Sequence, residues 1–458
     1  MKKIQLYVST IVVLMILSGT LMGCKKFLDA RPDKSLVIPS SLQDLMALLD
    51  NNSVINQYAT GLGEASSDNY YLTDISWAAL NDGDKNIYIW GDELFYSATS
   101  NNEWQLAYRP VYYANLVLEN LEKISKTAEN KTQWDNIKGS ALFIKALSYH
   151  MLVTTFSEAY DNNTAASDYG IPLRPGTDFN ETSVRSSVEG SYREIEQNLL
   201  AAVPLLPVIP DNPMKPSKPA AYALLARTYL TMRQYEKAGN YADSCLNLKN
   251  SLMDFNGGTG VSTTAAFPFS RFNPEVIYHT SGNLPILGVN NAKIDPVLYS
   301  SYQPNDLRLI RFFKSNGNNT YSFKGSYLGS ATLFTGIAVD EVYLIKAESL
   351  ARQNLVNQAM IALNTLLIKR WTTGTFVPLT ATTSADAIAK ILIERRKELL
   401  MRNLRWMDIK RLNKEGSNIA LLRNLNNKVY NLAPNENRFA LPLPQYILDL
   451  TKMPQNPR

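Results

Sequence analysis

Along this chain, apolar positions recur at helical spacing in blocks, and the blocks are separated by two long stretches where that period fades. Leu42, Leu45, Met46 and Leu49 share one helical face behind Ser40 and Ser41, either of which can cap, and Asn51-Asn52 ends the run. Leu116, Leu118, Leu121 and Ile124 predict a helix over about 104–126. Leu142, Ala146, Tyr149 and Leu152 predict a second over about 134–156, packed antiparallel to the first. Gly170 to Gly176, with Pro172 and Pro175, breaks helix; 188–206 resumes it, and the proline-rich connector 204–219 breaks it again. A further helical stretch is expected over 384–413, then a polar loop, and the prolines from Pro442 to Pro457 should hold the tail as a surface strap.

One helical block occurs twice. Tyr222, Leu225, Ala226, Tyr229, Ala238, Ala242 and Cys245 have the offsets of a tetratricopeptide helix pair, in which small residues let two helices approach closely. Tyr343, Ala347, Leu350, Ala359, Leu363 and Leu366 repeat them, with the same spacing from Tyr343 to Ala359 as from Tyr222 to Ala238. The fold class is therefore mainly α: a tetratricopeptide-like helical-hairpin scaffold with long irregular loop insertions. The two aperiodic stretches, 58–102 and about 256–330, are rich in Asn, Asp, Gly and Ser and crowded with aromatics, and long loops of that kind carry function more often than packing. Within the first, Ile87-Tyr88-Ile89-Trp90 alternates like a short buried element, which assigns Trp90 to the core.

The first thirty residues have a different pattern. Lys2-Lys3, the apolar run Ile11 to Leu17 and Leu21-Met22-Gly23-Cys24 spell a secretion signal, too short to span a bilayer and ending in a cysteine placed as in bacterial lipoproteins. Residues 1–23 are then a cleaved signal peptide and Cys24 the lipidated first residue, with enough acyl chain to anchor the protein without a spanning helix. Lys25 in place of an aspartate favours outer-membrane sorting, so the expected location is the outer membrane, lipid-anchored and surface-facing. The remaining chain divides into an N-terminal region, 24–190, carrying the aromatic loops, and a C-terminal region, 191–458, that shares the helical scaffold.

Composition narrows the chemistry. The net charge of +5 falls to about +3 with the loss of Lys2 and Lys3, too balanced to indicate a nucleic-acid partner. With Cys24 acylated, Cys245 has no partner, so no disulfide is expected. Tyrosine is frequent, 25 residues against 15 phenylalanines, which suits surfaces that pack a ring while keeping its hydroxyl wet. His150 and His279, the only histidines, lack neighbours at ligand spacing, so no metal site is expected. There is no nucleophile elbow or phosphate loop, and Gly257-Gly258-Thr259-Gly260 lacks the strand-to-helix setting of a dinucleotide fingerprint; no cofactor is expected. In the charged run Ile393 to Leu400, Glu398 and Arg402 stand four apart in the favourable order, and Arg395 and Arg396 can bridge to other helices as structural ion pairs. Trp406 reads as a packing anchor.

The order of several segments resembles the SusD/RagB family of Bacteroidetes outer-membrane lipoproteins. They are Asp340 to Glu348 with Ala359 and Leu363-Asn364, then Glu394 to Leu399, then Arg405-Trp406, Asp408 and Lys410-Arg411. The lead from Cys24 to Pro39, Lys145 to Tyr149 with Phe156, and the closing Pro454-Gln455-Asn456-Pro457 extend the likeness over nearly the whole chain. The resemblance implies a helical scaffold tethered to the outer leaflet, sitting as a lid over a TonB-dependent transporter, a SusC-like barrel, and capturing nutrients, most often glycans, without turnover. Asn403 and the terminal Arg458 depart from the family pattern, both within scaffold.

A sugar ring offers an apolar face and a rim of hydroxyls, so its site needs aromatic platforms beside amides and carboxylates. Asn69, Tyr70, Tyr71, Trp77, Asn81 and Asp82 supply that mixture in the first aperiodic stretch, and Tyr299, Tyr302 and Tyr321 are candidates in the second. The expected function is oligosaccharide binding and delivery to the transporter. A glycoside hydrolase, needing only two well-spaced carboxylates, and a pure protein-interaction scaffold are the alternatives.

Overall fold

The computed structural model describes residues 39–57, 61–94, 102–282 and 284–458; the signal segment and the lipidation position Cys24 lie outside the described residues. Leu42–Arg458 form one compact unit. Its helices are α1 Leu42–Leu49, α2 Glu103–Leu121, α3 Lys131–Phe156, α4 Val188–Ala202, α5 Lys218–Thr231, α6 Tyr235–Leu246, α7 Val339–Arg352, α8 Val356–Leu367, α9 Ser384–Glu398 and α10 Arg405–Asn413. Local chemistry sets where they begin. Asn102, Ser187, Ser217 and Thr383 each accept a hydrogen bond from a backbone N–H of the first turn, satisfying a donor the helix leaves open.

Each helix packs on the next from α2 to α8. α6 packs directly on α7 although residues 247–338 intervene, so the insertion leaves and re-enters a continuous helical stack. The two repeat copies fold alike down to the turn. Arg233 and Asn354, each eleven residues after the first tyrosine of its copy, both take left-handed backbone, at φ of 60° and 62°. Ala238, Ala242 and Cys245 in one copy and Ala347, Ala359 and Leu363 in the other are fully buried, as close helix packing requires.

Four expectations are corrected. The run 384–413 is not continuous helix: α9 stops at Glu398, and Met401 and Asn403 turn the chain with φ of 58° and 60° before α10. Long-range bonds hold this turn, since Asn403 Oδ1 accepts from Glu64 N at 2.9 Å while Asn403 N donates to Glu64 Oε2 at 3.0 Å. Glu398 and Arg402 therefore do not pair; Glu398 accepts from Arg308 and Arg370, and Arg402 donates to Asp340. The segment after α10 is not merely a loop, because Leu421–Leu425 and Lys428–Leu432 form an antiparallel hairpin turned at Asn426-Asn427, both with positive φ. Ile87 to Trp90 lies at the end of a short helix, Asp82–Tyr88, not in an alternating element. Trp90 is nonetheless core at 1% exposure, with Nε1 donating to Ser66 O at 3.0 Å.

The signature charges are internal. Arg308 donates to Asp306, Glu394 and Glu398; Arg370 bridges Glu398 at 2.7 Å to Glu275 at 2.8 Å; and Arg411 joins Glu348 to Asp408. All three guanidiniums are fully buried. This network ties α9 and α10 to α7 and to the second insertion, fixing the base from which the loops project. The tail is pinned as expected, with Asn456 Nδ2 donating to Phe156 O and Leu441 O and the Arg458 guanidinium donating to Trp90 O and Gly91 O.

Candidate functional site

The two aromatic stretches, more than two hundred residues apart in sequence, meet through a short antiparallel pairing in which Tyr70 lies opposite Ile294 and Tyr71 opposite Lys293. Asp295 N donates to Asn69 O at 3.0 Å, continuing the contact. Arg396, from α9, clamps the junction: its Nη2 donates to Asp68 O at 2.8 Å and lies 3.3 Å from the Asp68 carboxylate and 3.6 Å from that of Asp295. Burial alone would raise the Asp68 carboxyl, but the forked Arg405, bonding both oxygens at 2.7 and 2.9 Å, and then Arg396 outweigh it and hold the group well below the usual carboxylate range. Asp68 is thus a fixed charge that joins the loop to the scaffold.

Asp295 also caps the short helix Pro296–Ser300 by accepting from Leu298 N at 2.8 Å, and that helix presents Tyr299. Tyr321 comes from a hairpin, Phe313–Gly317 with Thr320–Phe323. The Tyr299 and Tyr321 rings lie 3.6 Å apart and 10° from parallel, and Phe313 meets Tyr299 edge-on at 5.2 Å. Burial, and then the neighbouring Tyr321 hydroxyl, push the Tyr299 phenol up to about 12, so it stays protonated and able to donate. Tyr71, Lys293, Tyr299 and Tyr321 are all half-buried, forming an aromatic edge with a cation beside it.

Other candidates hold the frame. Asn69, at 1% exposure, donates to Glu64 Oε1 at 2.8 Å; Tyr70, equally buried, donates to Ala65 O at 2.6 Å; Tyr302, at 6%, donates to Lys397 O at 2.8 Å. Tyr70 is turned inward because strand pairing puts Tyr70 and Tyr71 on opposite sides. Trp77, Asn81 and Asp82 form a separate group. The half-buried Trp77 donates to Lys85 O at 3.2 Å, Asn81 caps the helix Asp82–Tyr88, and the exposed Asp82 lies 3.8 Å from Lys85 Nζ. Sequence reasoning missed Lys293 and Arg396. Only the pairing of the two stretches reveals Lys293, whereas Arg396 stood inside a motif already marked for bridging.

Chemically this edge offers stacking faces, phenol donors and a cation. Among the described residues no group of three or more His, Cys, Asp or Glu is placed to hold a metal ion, and no helix is long and apolar enough to cross a membrane.

A family model, SusD-like, described as starch-binding and associating with the outer membrane, matches residues 26–230. No curated protein matches the chain. Among solved structures, a SusD superfamily protein from Bacteroides thetaiotaomicron superposes with a TM-score of 0.74 at 22% identity, covering 91% of this chain and 100% of its own. A SusD-like carbohydrate binding protein from Bacteroides vulgatus gives 0.65 at 19% identity, covering 90% and 96%. A SusD superfamily protein from Bacteroides fragilis gives 0.69 at 20%, covering 91% and 99%. The chain is thus similar to SusD-like proteins in sequence over 26–230 and shares the fold of SusD superfamily structures across nine-tenths of its length.

Proposed function

We propose that this protein binds carbohydrate at the edge formed by Tyr71, Lys293, Tyr299 and Tyr321, with Trp77, Asn81 and Asp82 as further contacts, and delivers it to a TonB-dependent transporter without transforming it. The observation that carries the reading is the convergence of the two irregular stretches at the Tyr71–Lys293 pairing, beside the half-buried Tyr299–Tyr321 stack. A pyranose packs its apolar face on such rings while its hydroxyls reach phenol, amide and ammonium groups at the rim. The starch-binding, outer-membrane description of the matching family supports both ligand class and location. Cys24, acylated after signal cleavage, supplies the anchor.

The test is calorimetric titration of the full chain with neutral and acidic oligosaccharides, alongside product analysis after prolonged incubation. Saturable binding with no released product is expected; sustained hydrolysis would replace the binding reading with an enzymatic one. Delivery is tested by affinity purification from outer membranes, where a large barrel protein should co-purify.

A further inference from the structure

The two stretches that meet at the tyrosine edge differ in charge. The first, 58–102, holds seven acids and one cation, Lys85, whereas the second, 256–330, holds six cations and three acids. Those three acids are already taken. Glu275 and Asp306 are buried against Arg370 and Arg308, and Asp295 faces Arg396 at 3.6 Å. Arg308 and Arg311 are buried as well, the second on the carbonyls of Phe255 and Thr263. Besides Asp295, the charges that the second stretch shows to solvent are Arg271, Lys293, Lys314 and Lys324, none with a carboxylate partner among the described residues.

One of these charges lies inside the edge. Lys293 stands directly opposite Tyr71 in the antiparallel pairing, so both side chains leave the same face. Its Nζ donates to Asn290 O at 3.1 Å, which leaves two of its three N–H groups without a protein acceptor. Two residues along, Asp295 reaches Arg396, whose Nη2 and Nε are engaged and whose Nη1 has no partner among the described residues. At this junction Asp68 and Asp295 offset Arg396 and Arg405, and Lys293 is the charge left over. Glu64, behind them, pairs with no cation: burial pushes its carboxyl up to about 7, and its bonds come from the neutral donors Asn69 Nδ2 and Asn403 N. A neutral glycan would satisfy the rings and leave the Lys293 ammonium to water. A carboxylate or sulfate on the sugar would meet it beside the Tyr299–Tyr321 stack, in a charge-assisted bond roughly twice as strong as a neutral one.

We infer that the ligand of the tyrosine edge is an anionic glycan, whose carboxylate or sulfate binds Lys293 while its ring packs on the tyrosines. This rests on the carbohydrate reading above and narrows it to one charge class.

The full chain, its Lys293→Gln and Lys293→Arg variants and Tyr299→Ala/Tyr321→Ala are titrated with two matched pairs and one peptide: hexagalacturonate and its methyl ester, sulfated and unsulfated laminarihexaose, and hexaglutamate. The acidic member of at least one pair should bind about tenfold or more tighter than its uncharged partner. Raising sodium chloride from about 50 to about 500 mM should weaken the acidic member and leave the uncharged one within about twofold. Lys293→Gln should cut the preference to about threefold or less, Lys293→Arg should keep it, and Tyr299→Ala/Tyr321→Ala should weaken both members of the pair. Because Lys293 makes no ion pair, both of its variants should melt with the parent. Uncharged members bound as tightly as acidic ones overturn the anionic assignment and leave the carbohydrate reading standing. A preference that survives Lys293→Gln overturns the assignment to this lysine, and hexaglutamate bound as tightly as the best acidic glycan overturns the need for a sugar ring. A parent chain that binds neither member of either pair overturns both the inference and the carbohydrate reading.

Discussion

At the scale of single residues, burial separates groups that look equivalent in sequence. Tyr70 and Tyr71 are neighbours of the same type, yet one is core and the other lies at the candidate edge, because a two-residue pairing with Lys293-Ile294 decides which side each ring faces. No local pattern carries that information, so the aromatic stretches were legible as a region and not residue by residue. His279 shows the same limit: its sequence neighbours say only that no ligand-spaced partner is near, and the structure puts it between Phe272 and Phe334 with neither ring nitrogen hydrogen-bonded. Burial, then Arg271, lowers its pKa to about 4, and burial, then Arg227, lowers that of His150 to about 3. Both are depressed below the unfolded value near 6.5, so the unfolded chain binds more protons and stability falls as pH drops below about 6.5, by up to ~1.4 kcal/mol per unit for each group. His279→Phe should therefore be at least as stable as the parent at pH 7.5 and lose less stability between pH 6.5 and 4.5; denaturant titrations at the two pH values measure the difference.

At the scale of elements, what repeats was readable and what pairs at long range was not. The tetratricopeptide offsets at Tyr222 and Tyr343 place both helix pairs correctly, since a spacing of apolar and small residues is itself the packing instruction. The charges of α9 were recognised as structural, but their partners lie far off in sequence: Asp306 and Arg308 in the second insertion and Arg370 after α8, which in turn reaches Glu275 in the same insertion. Removing one member of such a buried set strands the rest. Arg370→Met, which leaves Glu275 and Glu398 facing each other, should destabilise by about 3–5 kcal/mol in equilibrium unfolding. The return of the insertion to α7 is equally constrained. A Cβ on Gly336 would collide with Tyr278 O and the Phe334 ring, and Gly336 O accepts from the buried Arg227 at 3.0 Å. Gly336→Ala should cost roughly 1–3 kcal/mol, read as a lower melting temperature.

At the scale of the whole molecule, a stack of helices positions two loop regions on one buried ionic base. A lipid on Cys24 would hold it at the membrane surface with no spanning segment. Cys24→Ala, expressed with its own signal, should leave the membrane fraction and appear soluble in the periplasm or medium, which fractionation and immunoblotting resolve; membrane retention of that variant would assign the anchoring elsewhere. The likeness to SusD-like proteins was legible from the order of short motifs spread along the sequence, because that order follows the scaffold. The ligand surface was less so, because loops keep a ring's type without revealing its neighbours.

Carbohydrate capture by the tyrosine edge is the central claim, and the affinity of the full chain for the oligosaccharide it binds best, compared with that of Tyr299→Ala/Tyr321→Ala, tests it most directly. Loss of the stacked pair should weaken binding about tenfold or more, roughly 1.4 kcal/mol, with the melting temperature little changed. Equal affinity in parent and variant would contradict it.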